Sequence, residues 1–373
     1  MAGLTVKTEE VGMRKLIIAV AAMLLVAMAG STMADVTWSG DARLRPRLDI
    51  RDRGEFGNKT TDGYYYYRAR LNLRGDIGDG WFGHVQLGTN GFAYWTGKFG
   101  DPTGGSKPSS SSVDGASRGP VDFMLLYFGR KTKEFGYWGG LIPLDGLSNP
   151  VLDVHYYPSI MIDVPYFLYS NNGAHGFAGF VAFGDHKLNA TLLVDNNDGI
   201  LTEDPDGDVV SSTHDQYSVM LDAPLKAGKA TIQPVVILTA ADAGMDAPIT
   251  FGANLTSPKV GQFTFYATAA MSMQRAGGEA NEYDAMYFRG KTVGTVGPGK
   301  LTAWVDVANV KNDASDVERK FFYIWLDYAI NIYKSDQGSV DIKPTWRHIK
   351  REQDGSLDET REKIELTIDF KFK

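Results

Sequence analysis

The sequence predicts an all-β protein, a transmembrane antiparallel up-and-down β-barrel of sixteen strands, and three observations carry that prediction. The first is alternation. Between Trp38 and Arg51 the residues Trp38, Gly40, Ala42, Leu44, Pro46, Leu48 and Ile50 interleave with Ser39, Asp41, Arg43, Arg45, Arg47, Asp49 and Arg51. In an extended strand the two sets fall on opposite faces, one apolar and one densely charged. A soluble sheet hides its apolar face in a core and rarely concentrates arginine on the other; lipid outside and water inside account for both faces. The second is that the connectors between such segments alternate strictly between short and long. The third is that no segment beyond the N-terminal leader offers the roughly 18 uninterrupted apolar residues a spanning helix needs, so any crossing must be made by strands.

The chain opens with Arg14 and Lys15 ahead of an apolar run from Leu16 to Ala29, which ends in Gly30-Ser31-Thr32-Met33-Ala34 with small residues at −3 and −1. This is the pattern of a cleavable signal peptide over residues 1–34, with a mature chain beginning near Asp35 and translation starting at Met1 or Met13. Strands follow near 36–50, 63–76, 81–90, 121–130, 134–142, 174–184, 186–195, 215–223, 229–240, 248–256, 260–273, 283–293, 300–310, 319–332, 339–351 and 361–372, read from period-two hydropathy broken by Gly, Pro, Asp and Asn clusters. Tyr65, Tyr67, Ala69, Leu71 and Leu73 against Tyr66, Arg68, Arg70, Asn72 and Arg74 repeat the first strand's pattern in the second.

Short connectors fall, among others, at 76–80, 184–186, 224–228, 257–260 and 334–338; long ones lie at 51–62, 91–120, 143–173, 196–214, 241–247, 274–282, 311–318 and 352–360. That parity predicts tight periplasmic turns, larger external loops and both termini in the periplasm. Pro46, Pro234 and Pro344 lie inside candidate strands and are expected at bulges or rims, because each removes a ladder donor. Trp38, Trp81, Phe82, Phe370 and Phe372 near the turns, and Tyr64 to Tyr67, Tyr283 and Phe321 to Tyr323 near the loops, suggest two interfacial aromatic belts. In the 91–120 connector, Pro102 to Pro108 followed by Ser109 to Ser112 predicts a solvated external loop.

One segment reads two ways. Val151 to Tyr157 and Met161 to Tyr169 alternate around Pro158-Ser159-Ile160, and a further hairpin there would make eighteen strands.

Composition narrows the chemistry. With no cysteine, the chain has no disulfide framework, thiolate metal site or cysteine nucleophile. A net charge of −7 argues against nucleic acid as a partner. The six histidines have no metal-ligand spacing, and the sequence holds neither a Gly-x-Ser-x-Gly elbow nor a phosphate-binding glycine loop, so no catalytic residue, metal or cofactor is expected and the chain reads as a non-enzyme. Of the histidines, His84 is placed by pattern on the inner face. The oxygen-rich stretches Asp195 to Gly199 and Glu203 to Asp208 do not match a calcium loop and read as solvated acidic loop.

A signal peptide, paired amphipathic strands, a long third loop and a final strand of Ile364, Leu366, Ile368, Phe370 and Phe372 alternating with Glu365, Thr367, Asp369 and Lys371 together resemble the bacterial outer-membrane porins. The resemblance covers essentially the whole mature chain and is one of pattern. It implies an outer-membrane barrel, matured through the barrel-assembly machinery, commonly homotrimeric, and passing small hydrophilic solutes and ions by passive diffusion. It further implies that the third loop, 143–173, folds inward, so that Asp145, Asp153 and Asp163 face a basic wall of Arg43, Arg45, Arg47, Arg68, Arg70 and Arg74. One charge acting across about 10 Å of water contributes only roughly 0.4 kcal/mol, so such a wall would filter ions collectively rather than bind them singly. The alternatives are a substrate-specific or polysaccharide-export channel of eighteen strands and, with less support, a barrel hydrolase.

Overall fold

The structure, a computed structural model, describes residues 35–89, 97–98, 121–146, 148–156, 173–203, 209–242, 246–275, 282–312, 316–353, 355 and 357–373. The predicted leader, most of the 91–120 loop and Asp163 lie outside these residues. Among them sixteen long antiparallel strands form one closed sheet. In chain order these are β1 (Asp35–Asp52), β2 (Thr60–Gly78), β3 (Trp81–Thr89), β4 (Val121–Lys131), β5 (Phe135–Pro143), β6 (Gly173–Phe183), β7 (His186–Glu203) and β8 (Val209–Asp222). They continue with β9 (Ala230–Ala241), β10 (Ile249–Thr256), β11 (Phe263–Gln274), β12 (Tyr283–Val296), β13 (Gly299–Asn312), β14 (Val317–Ser335), β15 (Gly338–Gln353) and β16 (Leu357–Phe372). Two short pieces complete the sheet: Gly97–Lys98 beside β2, and Leu225–Ala227, which continues the line of β8 beside β9.

Each long strand pairs with its chain neighbours, and β1 closes on β16 through Arg43↔Asp369, Leu44↔Ile368 and Leu48↔Ile364. Closure leaves no sheet edge, which is what lets strands span lipid with every ladder donor and acceptor satisfied. The exposure pattern is inverted relative to a water-soluble protein. Phe128 and Phe177 are 71% and 63% exposed on the outside, with Leu44, Ile364 and Phe370 also exposed, while Arg347 and Lys363 inside are fully buried. Each large apolar side chain left in water would forgo about 1.5–3 kcal/mol, so this outer surface requires an apolar surrounding.

One end of the barrel carries the tight turns. At Asp79–Gly80 both residues have positive φ, 51° and 80°, the backbone of a two-residue hairpin turn. Gly80 also lies so close to β4 that a Cβ there would sit 2.3 Å from the Lys131 carbonyl oxygen, so position and conformation both select glycine. Gly184, Gly228, Gly261 and Gly297 likewise take positive φ in the later turns of this end.

Several local expectations are corrected. The register shifts fall at Asp76/Gly78, Gln86/Leu87, Val194/Asn196 and Asn331/Tyr333, not at the prolines. Pro46 and Pro344 stay in register with β2 and β16 respectively. Successive residues of an antiparallel strand direct their hydrogen bonds to alternate neighbours, so a missing N–H weakens one ladder only and needs no bulge. Segment 196–214, expected as loop, extends the β7–β8 hairpin to Glu203↔Val209. The aromatic residues do not all face outward: Trp38 and Tyr65 do, but Phe82, Phe321 and Tyr323 are buried inside.

The expected sixteen-strand count is met, and the eighteen-strand alternative fails because Val151–Tyr156 forms a helix, α1. Asn149 and Pro150 begin it, with the Leu152 N–H donating to the Asn149 carbonyl (3.2 Å) and the Val154 N–H to the Pro150 carbonyl (3.3 Å). Asparagine before a first-turn proline is a helix-start pairing, and Asp153 adds a favourable charge to that turn.

Candidate functional site

The barrel interior divides into two halves of opposite chemistry. On one side α1 lies inside the barrel, where Val151, Leu152 and Val154 pack with Ile142 and Leu144 against an apolar inner wall that includes Leu193, Met220, Val235, Ile237, Tyr287 and Phe321. Here part of the inner face is apolar, against the expectation of a polar lumen throughout. A chain of hydroxyls fastens the helix: His155 Nδ1 lies 2.8 Å from Thr250 Oγ1 and its Nε2 2.8 Å from Thr239 Oγ1, while Tyr156 donates to Asp195 at 3.0 Å. Asn254 Nδ2 donates to Asn149 Oδ1 at 2.9 Å and fixes the start of the helix. His155 lies in this inserted segment, and burial pushes its pKa down to about 3, so its ring is neutral.

The other half is charged. It is built by the inner faces of β1, β2 and β12 to β16 around a cavity of about 410 Å³. Seven cationic side chains line it (Arg43, Arg45, Arg68, Arg70, Lys291, Lys300 and Lys343) against three carboxylates, Asp145, Asp327 and Glu365. Four of the six arginines singled out in the sequence therefore meet here. Arg47 lies nearer the loop end, where its guanidinium covers the Tyr66 ring at 4.8 Å and pairs with Glu365. Arg74 lies nearer the turn end, 5.2 Å over the Phe82 ring.

The counter-charges come chiefly from the sheet rather than from the third loop. Asp41 accepts from Arg68 Nη2 at 2.8 Å and Arg70 Nε at 2.7 Å. Across the closing seam Asp369 pairs with Arg43, Thr367 accepts from Arg45 Nε at 3.1 Å, and Glu365 pairs with Arg47; Glu365 also pairs with Arg347 on β15. Like charges so close would repel strongly in a low-dielectric interior, and these carboxylates, brought from the far end of the chain, offset that repulsion. Of the loop acids, Asp145 lines the cavity, held by the Ser148 N–H at 3.1 Å and the Ser148 hydroxyl at 2.6 Å. Asp153 is fully buried in the apolar half, within electrostatic reach of Tyr287 and Arg289.

The sequence reading passed over the wall opposite the arginines. Trp304 and Trp325 stack at 4.5 Å and 11°, and Arg347 lies 4.0 Å over the Trp325 ring. Lys291 stands 5.3 Å from the Tyr266 ring, and Asp327 accepts from Trp325 Nε1 at 2.8 Å. The lysines carried a signal, since Lys291, Lys300 and Lys343 all fall on the polar phase of their strands; only the tertiary structure brings them to one cavity. His84 is on the inner face as expected, stacked on Tyr127 at 5.2 Å. Among the described residues no cluster of His, Asp or Glu could hold a metal ion.

A closed antiparallel barrel that is apolar outside, charged inside and entered by a helix of its third loop has the architecture of porin-type β-barrels. Comparison with solved structures agrees at the level of fold. The chain is similar to the outer-membrane channel DcaP of Acinetobacter baumannii, with 12% identity over 92% of this chain and 99% of that one and a TM-score of 0.58. It is similar also to the anion-selective porin of Comamonas acidovorans (15% identity, 91% and 100% covered, TM-score 0.53). A loop-deleted form of OmpT, an outer-membrane protein of Vibrio cholerae, matches at 9% identity, 91% and 100% covered and a TM-score of 0.54. No family model and no curated protein matches the sequence.

Proposed function

We propose that this chain is an outer-membrane porin that lets small hydrophilic solutes and ions diffuse passively through its charged half, with a preference for anions. The observation that carries the reading is the 410 Å³ cavity shared by the arginines and the lysines, whose lining has seven cations and three carboxylates, with Asp41 and Asp369 behind the arginines as further counter-charge. In this reading residues 1–34 are removed on export, both termini face the periplasm, and the barrel assembles as a homotrimer. The third loop narrows the pore through α1, with Asp145 beside the basic wall. Arg43, Arg45, Arg68 and Arg70 act as a collective electrostatic filter rather than a catalytic group, and the protein is not an enzyme. The similarity to a barrel named as an anion-selective porin supports the sign of the preference.

Passive flow through a water-filled path predicts ohmic conductance, and a fixed positive wall predicts a reversal potential displaced toward that of chloride under a salt gradient. Planar-bilayer recording of the purified barrel measures both. Cation preference, or hydrolysis of lipid or peptide without current, would overturn the reading. Long polymers fit poorly, because α1 and the apolar wall it packs on occupy part of the interior beside the charged cavity.

A further inference from the structure

We propose that the charged half contains a binding site for a tetrahedral oxyanion, inorganic phosphate or the phosphate group of a small ester, held by Lys291, Lys300 and Lys343. The site rests on the channel reading above and gives it a substrate class.

The arginines of the cavity already have protein partners: Asp41 engages Arg68 and Arg70, Asp369 engages Arg43, and Thr367 engages Arg45. The three lysines differ. Among the described residues none has a carboxylate within ion-pairing distance, yet all three line the same cavity. Asp327 lies within electrostatic reach of all three and takes a hydrogen bond from Trp325 Nε1, while Asp145 acts on Lys291 and Asp369, already paired with Arg43, acts on Lys343. Buried Trp304, in the same lining, has an indole N–H without an acceptor. Excess positive charge in a partly desolvated cavity calls for an anion.

The chemistry of the donors selects its shape. An ammonium group is a compact point charge with three rotatable donors, whereas the planar fork of arginine grips two oxygens of a carboxylate or phosphate in one plane. Three lysines converging from β12, β13 and β15 suit an anion with oxygens directed to several sides. Asp327 adds a second criterion: a carboxylate repels a fully ionised oxyanion but accepts a hydrogen bond from a protonated one. Hydrogen phosphate carries that P–OH donor and sulfate does not.

The test is calorimetric titration of the refolded, detergent-solubilised barrel with inorganic phosphate, sulfate and succinate at low salt, together with blockage of chloride current in bilayers by the same anions. Phosphate is expected to bind tightest and to reduce the current. Lys291→Gln combined with Lys343→Gln should weaken phosphate roughly tenfold, the change that follows from losing about 1.4 kcal/mol of contact. Lys300 is exposed and its replacement leaves the packing intact, so Lys300→Gln keeps the test available if the double variant does not fold; it should weaken phosphate by roughly threefold. Unchanged phosphate affinity in Lys300→Gln, or sulfate or succinate binding as tightly as phosphate, would overturn the assignment. A barrel that conducts anions but does not bind phosphate sinks this site and leaves the channel reading standing. Phosphate binding without conductance does the reverse.

Discussion

At the scale of single residues, the interior is a set of charges whose partners lie far away in sequence. Glu365 receives both Arg47 and Arg347, all three almost fully buried. Removing one member of such a group strands the others without water, at a cost of about 3–5 kcal/mol, whereas replacing the whole group by apolar residues need cost nothing. Glu365→Leu should therefore lower the free energy of unfolding by that amount, read from urea titration in lipid vesicles, and Glu365→Gln should cost less because it keeps two hydrogen-bonding atoms. The arginines nearer the cavity make a different prediction. Arg45→Gln with Arg70→Gln should move the reversal potential toward that of a non-selective pore, and an unmoved value would remove these residues from the filter. The wild-type preference should itself fade with salt, because the screening length contracts from about 8 Å at physiological ionic strength to about 3 Å at 1 M.

At the scale of elements, α1 is the movable part, since it is joined to the wall by side-chain contacts and not by the ladder. Leu152→Ala should weaken its docking by about 2–5 kcal/mol through loss of buried contacts, and Leu152→Asp should release it, widening the path and raising single-channel conductance. His155 makes the docking dependent on pH. Docked, its pKa lies at about 3; exposed, an imidazole titrates near 6.5. Between these values the undocked segment binds the extra proton, so docking is complete above about pH 6.5 and weakens steadily as pH falls toward 3. Conductance recorded from pH 7 to pH 4 should rise in the wild type, and the rise should be lost in His155→Gln, which keeps hydrogen bonds to Thr239 and Thr250 without a titrating group. This helix was legible in part: Ser148-Asn149-Pro150 followed by Asp153 is a helix start, but the alternation of Val151 to Tyr157 reads equally as a strand. Periodicity over so few residues cannot separate the two, and the apolar wall that receives the helix exists only once the barrel is closed.

At the scale of the whole molecule, the exported chain should begin at or next to Asp35 when its N-terminus is sequenced, and cross-linking of the membrane-embedded protein should give three copies. Monomeric behaviour would confine the proposal to a single pore. The strands themselves were readable because lipid on one side and charge on the other impose period two on each crossing, and turns punctuate the crossings with glycine. Observed limits differ from the predicted ones mainly where strands run past the apolar band, as at Glu203 and Val209.

The sequence by itself determined that this chain crosses a membrane as a barrel, which residues face lipid, and that arginine crowds the inner face of β1 and β2. These are local properties, written residue by residue in the alternation of side chains. Tertiary structure alone decided what those arginines meet. Arg43 and Asp369 are 326 positions apart and become neighbours only because the first strand closes on the last. Closure and register likewise set Lys291, Lys300 and Lys343 around one cavity and turned Asp153 away from it, because a pattern of period two assigns a side chain to a face but says nothing of its height or of what stands across the lumen.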